Sequence, residues 1–350
     1  MSDQYIPEYW REYLQQRIDR IKDIEREKDA FSFGLITDIH WGENEKLSAA
    51  LLEEIIKECR MNYFFNGGDV ISGKGIVSEG ELLFELDDFI DTFKRIEKNC
   101  ISVEGNHERA YSDFEPPLYY VQNMAKATLR EHYFKPYYKY NERVFSKDGS
   151  YYYADDSINR IRYIALNSQD VPTEEKTEEG FAVYNTLRNY GFLQEQIDWL
   201  AFTALNVPDS TWSVALCSHA ATPSPGRDDF SYNYDIILGL LDAFKSKSAY
   251  KGERKYANPL FNISVSADFT KSGGDVIAWV GGHRHEDIIG RAQGITIVET
   301  TTDASYENYK KLGLRGSVEE HAFDIFTVDK NSRTVYVTRI GRGEDRIFKF

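Results

Sequence analysis

The sequence is poor in cysteine and has no long apolar run. Its three cysteines, Cys59, Cys100 and Cys217, are isolated and odd in number, which is typical of a reducing compartment and argues against a disulfide framework. No stretch approaches the roughly 18 consecutive apolar residues of a membrane span. The first 30 residues have neither an apolar core nor a small-residue cleavage site, so no secretory signal is predicted. We therefore expect a cytoplasmic protein with no membrane partner.

Basic residues are scarce relative to acidic ones. The chain has 42 lysines and arginines against 57 aspartates and glutamates, a net charge of −15. Such a field repels the phosphate backbone of long nucleic acids, so a nucleic-acid partner is disfavoured. A small anionic substrate is still compatible, because bound metal ions can reverse the local sign of charge. The sequence does not indicate an oligomeric state.

Strands and helices alternate through the first part of the chain, which predicts an α/β protein with parallel strands and crossover helices. Residues 1–30 are expected to form an N-terminal helical extension, with its helix at 5–29, that packs on the main body or binds a partner. Residues 31–350 are expected to form a single domain with a strand-rich C-terminal part. The predicted strands are 31–37, 62–66, 100–104, 150–154, 159–167, 211–218, 275–280, 294–300, 320–328, 333–340 and 345–350. The predicted helices are 46–60, 80–97, 117–133, 193–205 and 233–247.

Metal-ligating side chains follow several of these strands at the point where each strand ends. The chain has only seven histidines, and five of them follow these strands: four candidate ligands and His107. The candidate ligands are Asp38, His40, Asp69, Asn106, His219, His283 and His285. Because ligands bind beyond the carboxyl ends of strands in open α/β sheets, we expect these side chains to meet in one site. His132 and His321 match no motif and are expected to be structural.

Seven oxygen and nitrogen ligands suit two divalent metal ions better than one. A carboxylate can bridge two ions, and Asp69 is the natural candidate. His107 is then available as a general acid, and Glu108 is expected to orient it. Imidazole with carboxylate does not choose between manganese, iron and zinc.

The order of these motifs resembles that of the calcineurin-like metallophosphoesterases. The matching pieces are 38-DIH-40, 68-GD-69, 105-GNHE-108, His219 and 282-GHRH-285. Each piece alone is weak, but five in order, each after a predicted strand, are specific. The resemblance covers about residues 31–300.

The resemblance implies a four-layer α/β/β/α sandwich with the metal site at the carboxyl ends of its strands. It implies that Asp38, His40 and His285 hold one metal ion and share Asp69 with a second. The second ion would be held by Asn106, His219 and His283. A hydroxide that bridges the ions would attack phosphorus, and His107 would protonate the leaving oxygen or stabilise the transition state.

One departure from a branch of the superfamily bears on the metal. Purple acid phosphatases carry a tyrosine three residues after the Gly-Asp aspartate, and this chain has Ser72 there. We therefore expect no ferric-tyrosinate absorption band.

The predicted function is hydrolysis of a small phosphorylated substrate, either a phosphomonoester or a phosphodiester. Two alternatives belong to other classes: a binding or scaffold module of the same fold without turnover, and a nuclease. Arginines near the motifs are candidates for holding a phosphate by a bidentate pair. They are Arg109, Arg227 and Arg284. Trp41, next to His40, is expected either to wall the pocket or to lie in the core.

Overall fold

The computed structural model describes residues 6–42, 44–73, 78–109, 111–114, 119–122, 124–172, 175–180, 182–184, 186, 189–221, 230–304, 306–307, 310–311 and 313–350. Its architecture is two mixed sheets with helices on their outer faces. The helices are α1 (Glu8–Lys28), α2 (Glu45–Glu58), α3 (Glu79–Phe93), α4 (Lys126–Leu129), α5 (Gln194–Trp199) and α6 (Tyr234–Ser246).

The first sheet has six strands and combines the beginning of the chain with its end. In order across the sheet, the strands are Arg346–Lys349, Thr334–Gly341, Ala322–Asp329, Phe31–Ile36, Met61–Asn66 and Cys100–Ser102. The last three run parallel, with α2 and α3 in the connections between them, as the alternating pattern predicts. The C-terminal strands pair antiparallel and join the sheet beside Phe31–Ile36.

The second sheet has seven strands. In order across the sheet, they are Ile288–Ala292, Ile295–Glu299, Asp275–Gly281, Ser213–Cys217, Ile161–Ala165, Tyr152–Asp156 and Arg143–Phe145. The four strands from Ile295–Glu299 to Ile161–Ala165 run parallel. The predicted hairpin forms the antiparallel pair Tyr152–Asp156 and Ile161–Ala165.

The two sheets pack face to face through a shared aromatic core. Phe33 stacks on Phe326 within the first sheet, at 4.9 Å between ring centroids, and contacts Tyr163 of the second sheet at 5.7 Å. Alternation along the strand Ser213–Cys217 sends Ala215 and Cys217 into this core. The same alternation sends Val214 and Leu216 towards α5 and α6. Since α1, α2 and α3 cover the first sheet, the predicted four-layer α/β/β/α sandwich is confirmed.

Helix α1 lies against the first sheet. The helical spacing of Ile18, Ile21 and Ile24 predicts this helix. Ile18 and Ile21 are buried together with Trp10 and Leu14, and Ile24 is half-buried. The Tyr13 hydroxyl accepts a hydrogen bond of 2.9 Å from the backbone N–H of Gly341. The division of the chain at residue 30 stays a prediction.

One predicted helix is wrong over part of its length. Residues 117–133 were expected to be helical, but Tyr119–Gln122 is a strand that pairs antiparallel with Tyr111–Phe114. Tyrosine and valine favour strands, and the helix begins only at Lys126. It continues as the π-helix Arg130–Phe134 and the 3₁₀-helix Lys135–Lys139.

The remaining elements are short. The two-stranded pairs are Ala249–Arg254 with Ile263–Asp268, Asn189–Gly191 with Phe230–Tyr232, and Tyr306–Glu307 with Lys310–Lys311. The short helices are the 3₁₀-helices Lys94–Asn99, Pro259–Phe261 and Val318–Glu320 and the π-helix Leu200–Ala204. Among the helices of the described residues, none combines the length and the apolar character needed to cross a bilayer.

Candidate metal centre

All seven predicted ligands lie between the two sheets, at the carboxyl ends of their parallel strands. In the first sheet, Asp38 and His40 follow the strand Phe31–Ile36, Asp69 follows Met61–Asn66, and Asn106 follows Cys100–Ser102. In the second sheet, His219 follows Ser213–Cys217, and His283 and His285 follow Asp275–Gly281. Each sheet therefore contributes one wall of the site.

The backbone at five of these ligands is in the left-handed region, which side chains other than glycine rarely adopt. Their φ values are 54° at Asp38, 53° at His40, 53° at Asp69, 70° at His283 and 56° at His285. The turn before Asp69 is equally tight, because a Cβ on Gly68, whose φ is 87°, would come within 2.6 Å of the Gly105 nitrogen. Unusual backbone conformations cluster where surrounding structure holds a functional geometry, so these turns mark the strand ends as a site.

One group of donor atoms is formed by Asp38, His40 and His285. The Nε2 atom of His285 lies 2.9 Å from Oδ1 of Asp38 and 3.2 Å from Nε2 of His40. The other oxygen of Asp38 accepts hydrogen bonds from the Thr37 hydroxyl, at 2.6 Å, and from the backbone N–H of His283, at 3.0 Å. These two donors fix the carboxylate so that Oδ1 faces the imidazoles.

A second group is formed around His219, which is fully buried. Its Nε2 atom lies 3.1 Å from Oδ1 of Asn106, 3.2 Å from Nδ1 of His283 and 3.2 Å from Oδ2 of Asp69. The Nδ1 atom of His283 is also 2.9 Å from the Asn106 oxygen. Four side chains thus direct one nitrogen or oxygen each to the same point.

The tautomers fit a cation at that point. The Nδ1 atom of His219 lies 2.8 Å from the carbonyl oxygen of Gly67, which can only accept a hydrogen bond, so Nδ1 carries the proton and Nε2 presents a lone pair. On His283, Nε2 bonds to the Tyr190 hydroxyl at 2.7 Å, which leaves Nδ1 for the site. Lone pairs at this spacing repel one another unless a metal ion or a proton lies between them.

Asp69 belongs to two donor groups: one with His219 and His283, the other with His40 and His107. Its Oδ2 atom is 3.2 Å from His219 and 3.8 Å from Nε2 of His107, while Oδ1 accepts a hydrogen bond of 2.8 Å from the backbone N–H of His107. A carboxylate in this position can contact ions on both sides of it.

The charges at the site are strongly interdependent. Burial opposes ionisation of Asp38 and Asp69, but His285 and His219 outweigh it and hold the pKa of both carboxyls well below the usual range. Burial opposes protonation of His219 as well, yet the carboxylates of Asp69 and Asp38 raise its pKa to about 9. The raised pKa favours a proton on Nε2 of His219, and a metal ion bound at that nitrogen would have to displace it.

Two of the three other ligand imidazoles, those of His40 and His283, favour the neutral form, which metal ligation requires. Burial, reinforced by the neighbouring His107, lowers the pKa of His40 to about 3. Burial and His219 together lower the pKa of His283 to about 3.

His107 lies at the edge of the donor groups, with its ring held from behind. Its Nδ1 atom donates a hydrogen bond to the backbone carbonyl of Ser72. Ser72 is fixed in turn by Glu85 of α3, which accepts from its backbone N–H at 2.8 Å and from its hydroxyl. The Nε2 atom of His107 therefore faces the site, where it can carry a proton.

Glu108 is fully buried and contacts the backbone of the ligand loops. Its carboxylate accepts hydrogen bonds from the backbone N–H groups of Asp69, at 3.0 Å, Val70, at 2.6 Å, and Gly105. Burial and the Asp69 carboxylate raise the pKa of Glu108 to about 8. These contacts join the loop of Asp69 to the loop of Asn106. The expected orientation of His107 by Glu108 stays a prediction.

The arginines near the motifs have partners away from the ligand groups. Arg109 is fully buried and pairs with Glu104 at 2.5 Å, and Arg284 lies 3.4 Å from Glu299. Arg227 lies outside the described residues. Trp41 is half-buried at the rim of the site rather than in the core.

The two remaining histidines lie outside the donor groups. His321 is buried and bonds to the Ser48 hydroxyl at 2.8 Å. His132 lies on the surface, 3.4 Å from Asp87.

Two contributors to the site were not predicted from the sequence. Tyr190 bonds to a ligand histidine from a strand of only three residues, and one tyrosine among 24 carries no local signal. Ser72 was singled out only for the tyrosine that it replaces. Its carbonyl holds His107, and a backbone contact of this kind leaves no trace in residue identity.

Comparison with known proteins identifies the class. The family model for the calcineurin-like phosphoesterases matches residues 31–287, and the chain belongs to this family. Membership supports a metal-dependent phosphoester hydrolase in general terms, and the donor groups described above can hold metal. No curated protein matches the sequence.

Solved structures match at low identity. GAP50, the anchor in the inner membrane complex of Plasmodium, is 12% identical with a TM-score of 0.45, over 92% of this chain and 88% of that one. A proposed 5′-nucleotidase of Staphylococcus aureus is 13% identical with a TM-score of 0.42, over 91% of this chain but only 54% of that one. Vps29 of Cryptosporidium parvum is 11% identical with a TM-score of 0.30, over 92% and 97%.

Proposed function

We propose that this protein is a dinuclear metal-dependent phosphoesterase. Asp38, His40 and His285 hold one divalent ion, and Asp69 lies between this ion and a second. The second ion is held by Asn106, His219 and His283. The substrate is a small phosphomonoester or phosphodiester.

The observation that carries this proposal is the convergence of donor atoms on either side of Asp69. Paired imidazole nitrogens lie 3.2 Å apart in each group, beside carboxylate or amide oxygens. Nitrogen with oxygen ligands suits manganese, ferrous iron or zinc. With Ser72 in the position of the purple-phosphatase tyrosine, no ferric-tyrosinate band is expected.

Divalent ions in such a pair lower the pKa of bound water and offset charge on phosphoryl oxygens. The side chains supply the remaining steps. An oxygen from water bonds to phosphorus as the ester P–O bond breaks, and Nε2 of His107 gives its proton to the leaving oxygen. The Ser72 carbonyl keeps the proton on Nδ1, so the imidazolium of His107 loses its proton from Nε2, and the proton released by the attacking water returns to Nε2. Glu108 positions Asp69 through the backbone.

The test begins with elemental analysis of protein purified without added metal. Close to two ions per chain are expected, with hydrolysis of p-nitrophenyl phosphate or of bis(p-nitrophenyl) phosphate that is lost on chelation and restored by manganese. Two bound ions with no turnover of any ester would favour a binding module. Salt-sensitive cleavage of oligonucleotides would instead favour a nuclease.

The role of His107 is tested by His107→Gln, with His132→Gln as the matched control on the surface. General acid catalysis typically contributes about 10²–10⁴-fold, so His107→Gln should lower kcat by that factor while both ions stay bound. His132→Gln should leave kcat unchanged. If kcat of His107→Gln equals that of the wild type, His107 does not have this role.

A further inference from the structure

Two aromatic side chains form a ledge at the rim of the metal centre. The aromatic ledge consists of Trp41, which directly follows His40, and Phe84 of α3. Their ring centroids are 6.0 Å apart with the ring planes at 73°. Phe84 is 65% exposed, the second-highest exposure among the large apolar side chains of the described residues. The ledge therefore offers aromatic surface to solvent beside the candidate ligands.

Trp41 is held in place from both sides. Its backbone N–H donates to the carbonyl of Val70 at 2.8 Å, next to the hydrogen bond of 3.0 Å between His40 and Asp69. Its indole N–H donates to Asp88 at 3.1 Å. Asp88 lies one helical turn after Phe84 on α3, so the same face of this helix fixes Trp41 and presents Phe84. The ring of Trp41 is thus ordered before a ligand binds, so its ordering costs little side-chain entropy on binding.

The ledge is connected to His107 through His40 and through helix α3. The ring of His40, the neighbour of Trp41 in sequence, is 4.6 Å from the ring of His107. Helix α3 also reaches His107 from behind, because Glu85, adjacent to Phe84, binds Ser72, whose carbonyl accepts from His107. The group that leaves phosphorus towards the His107 proton would therefore emerge next to the ledge.

We infer that the aromatic ledge binds a planar aromatic part of the leaving group, so that the substrate class is aryl or nucleoside phosphoesters. This inference rests on the proposed function and narrows its substrate. A single exposed apolar residue needs no explanation. Two aromatic rings in contact, one of them fixed by hydrogen bonds and next in sequence to His40, whose ring contacts His107, form a surface suited to stacking.

The test compares Phe84→Ala with the control Phe202→Ala. Phe202 is 55% exposed in the π-helix Leu200–Ala204. The probes are adenosine 5′-monophosphate, p-nitrophenyl phosphate and glycerol 2-phosphate, with manganese-loaded full-length protein. Loss of an aromatic platform typically costs about 5- to 150-fold per stacked ring. Phe84→Ala should lower kcat/KM by that factor for the two aromatic esters and by less than twofold for glycerol 2-phosphate.

The control and a binding measurement separate this inference from the proposed function. Phe202→Ala should leave all three kcat/KM values unchanged. An equal loss for the three esters, or no loss in Phe84→Ala, would overturn the ledge assignment while leaving the phosphoesterase intact. If metal-loaded wild-type protein hydrolyses none of them, calorimetry with adenosine 5′-monophosphate decides. If Phe84→Ala binds the nucleotide at least fivefold more weakly than the wild type and Phe202→Ala does not, the ledge assignment is supported. If Phe84→Ala binds as tightly as the wild type, or if the wild type does not bind the nucleotide, the ledge assignment is refuted.

Discussion

Replacing Tyr190 by phenylalanine should weaken one metal site and spare the other. The Tyr190 hydroxyl lies 2.7 Å from Nε2 of His283, and the tyrosine is 4% exposed. Since Nδ1 of His283 faces Asn106 and His219, Nε2 carries the ring proton and donates it to the hydroxyl. Tyr190→Phe leaves that N–H without this acceptor in a largely buried place, at a cost of about 1–3 kcal/mol. This corresponds to about 5- to 150-fold in affinity.

Support of this kind around a ligand histidine typically contributes 10–100-fold to metal affinity, which agrees with the hydrogen-bond figure. The assay is calorimetric titration of chelator-treated protein with manganese, fitted to two sites. Tyr190→Phe should weaken the site of Asn106, His219 and His283 while the other site keeps its dissociation constant. Tyr138→Phe, which removes a hydroxyl bonded to the Gly149 carbonyl, is the control. If the manganese dissociation constants of both sites are unchanged in Tyr190→Phe, or if both sites lose affinity equally, the proposed role of Tyr190 is refuted.

Three further predictions follow from the contacts described. Asp69→Asn should weaken the binding of both ions together, by about 10²-fold or more, because the substitution removes a charged partner from buried charges. Metal analysis that finds only one ion lost would contradict the position of Asp69 between the two ions. Gly105→Ala should destabilise the fold by about 1–3 kcal/mol in urea unfolding, because its Cβ would meet the backbone and carboxylate of Asp69; Gly290→Ala, with open space around it, should be near neutral, and equal effects would count against this reasoning. Burial and the neighbouring Asp88 raise the pKa of Glu45 to about 8, so the stability that its neutral form contributes is complete below about pH 4.5 and is lost as pH rises through 8. The free energy of unfolding of Glu45→Gln should therefore rise by about 2–4 kcal/mol relative to that of the wild type as the pH is raised from 5.5 to 8.5. Free energies of unfolding that change with pH in parallel for the two proteins would exclude this.

Much of the sandwich could be predicted because its signals are local. Apolar runs such as residues 31–36 and 213–217 are buried along their whole length, and amphipathic stretches separate them, so the alternation of strand and helix is readable from the sequence. The candidate ligands could be located for the same reason, since each directly follows such a run.

What was missed depends on contacts between distant parts of the chain. The strand Tyr119–Gln122 reads as the start of a helix until its pairing with Tyr111–Phe114 is known. In the hairpin of Ala249–Arg254 and Ile263–Asp268, exposed polar residues alternate with buried ones along Ile263–Asp268. The overall composition of the segment therefore does not reveal its buried face. Tyr190 meets His283 across 93 residues of sequence, and no spacing rule reaches that far.

The division of the ligands between the two sheets has a consequence for biogenesis. His40 and His285 are 245 positions apart yet lie in one donor group. A chain emerging from the ribosome therefore cannot complete either donor group until the strand Asp275–Gly281 has been synthesised and docked. Tight metal uptake is therefore reserved for molecules whose halves have already come together. Under the proposed function, bound cations would link those halves and oppose their separation.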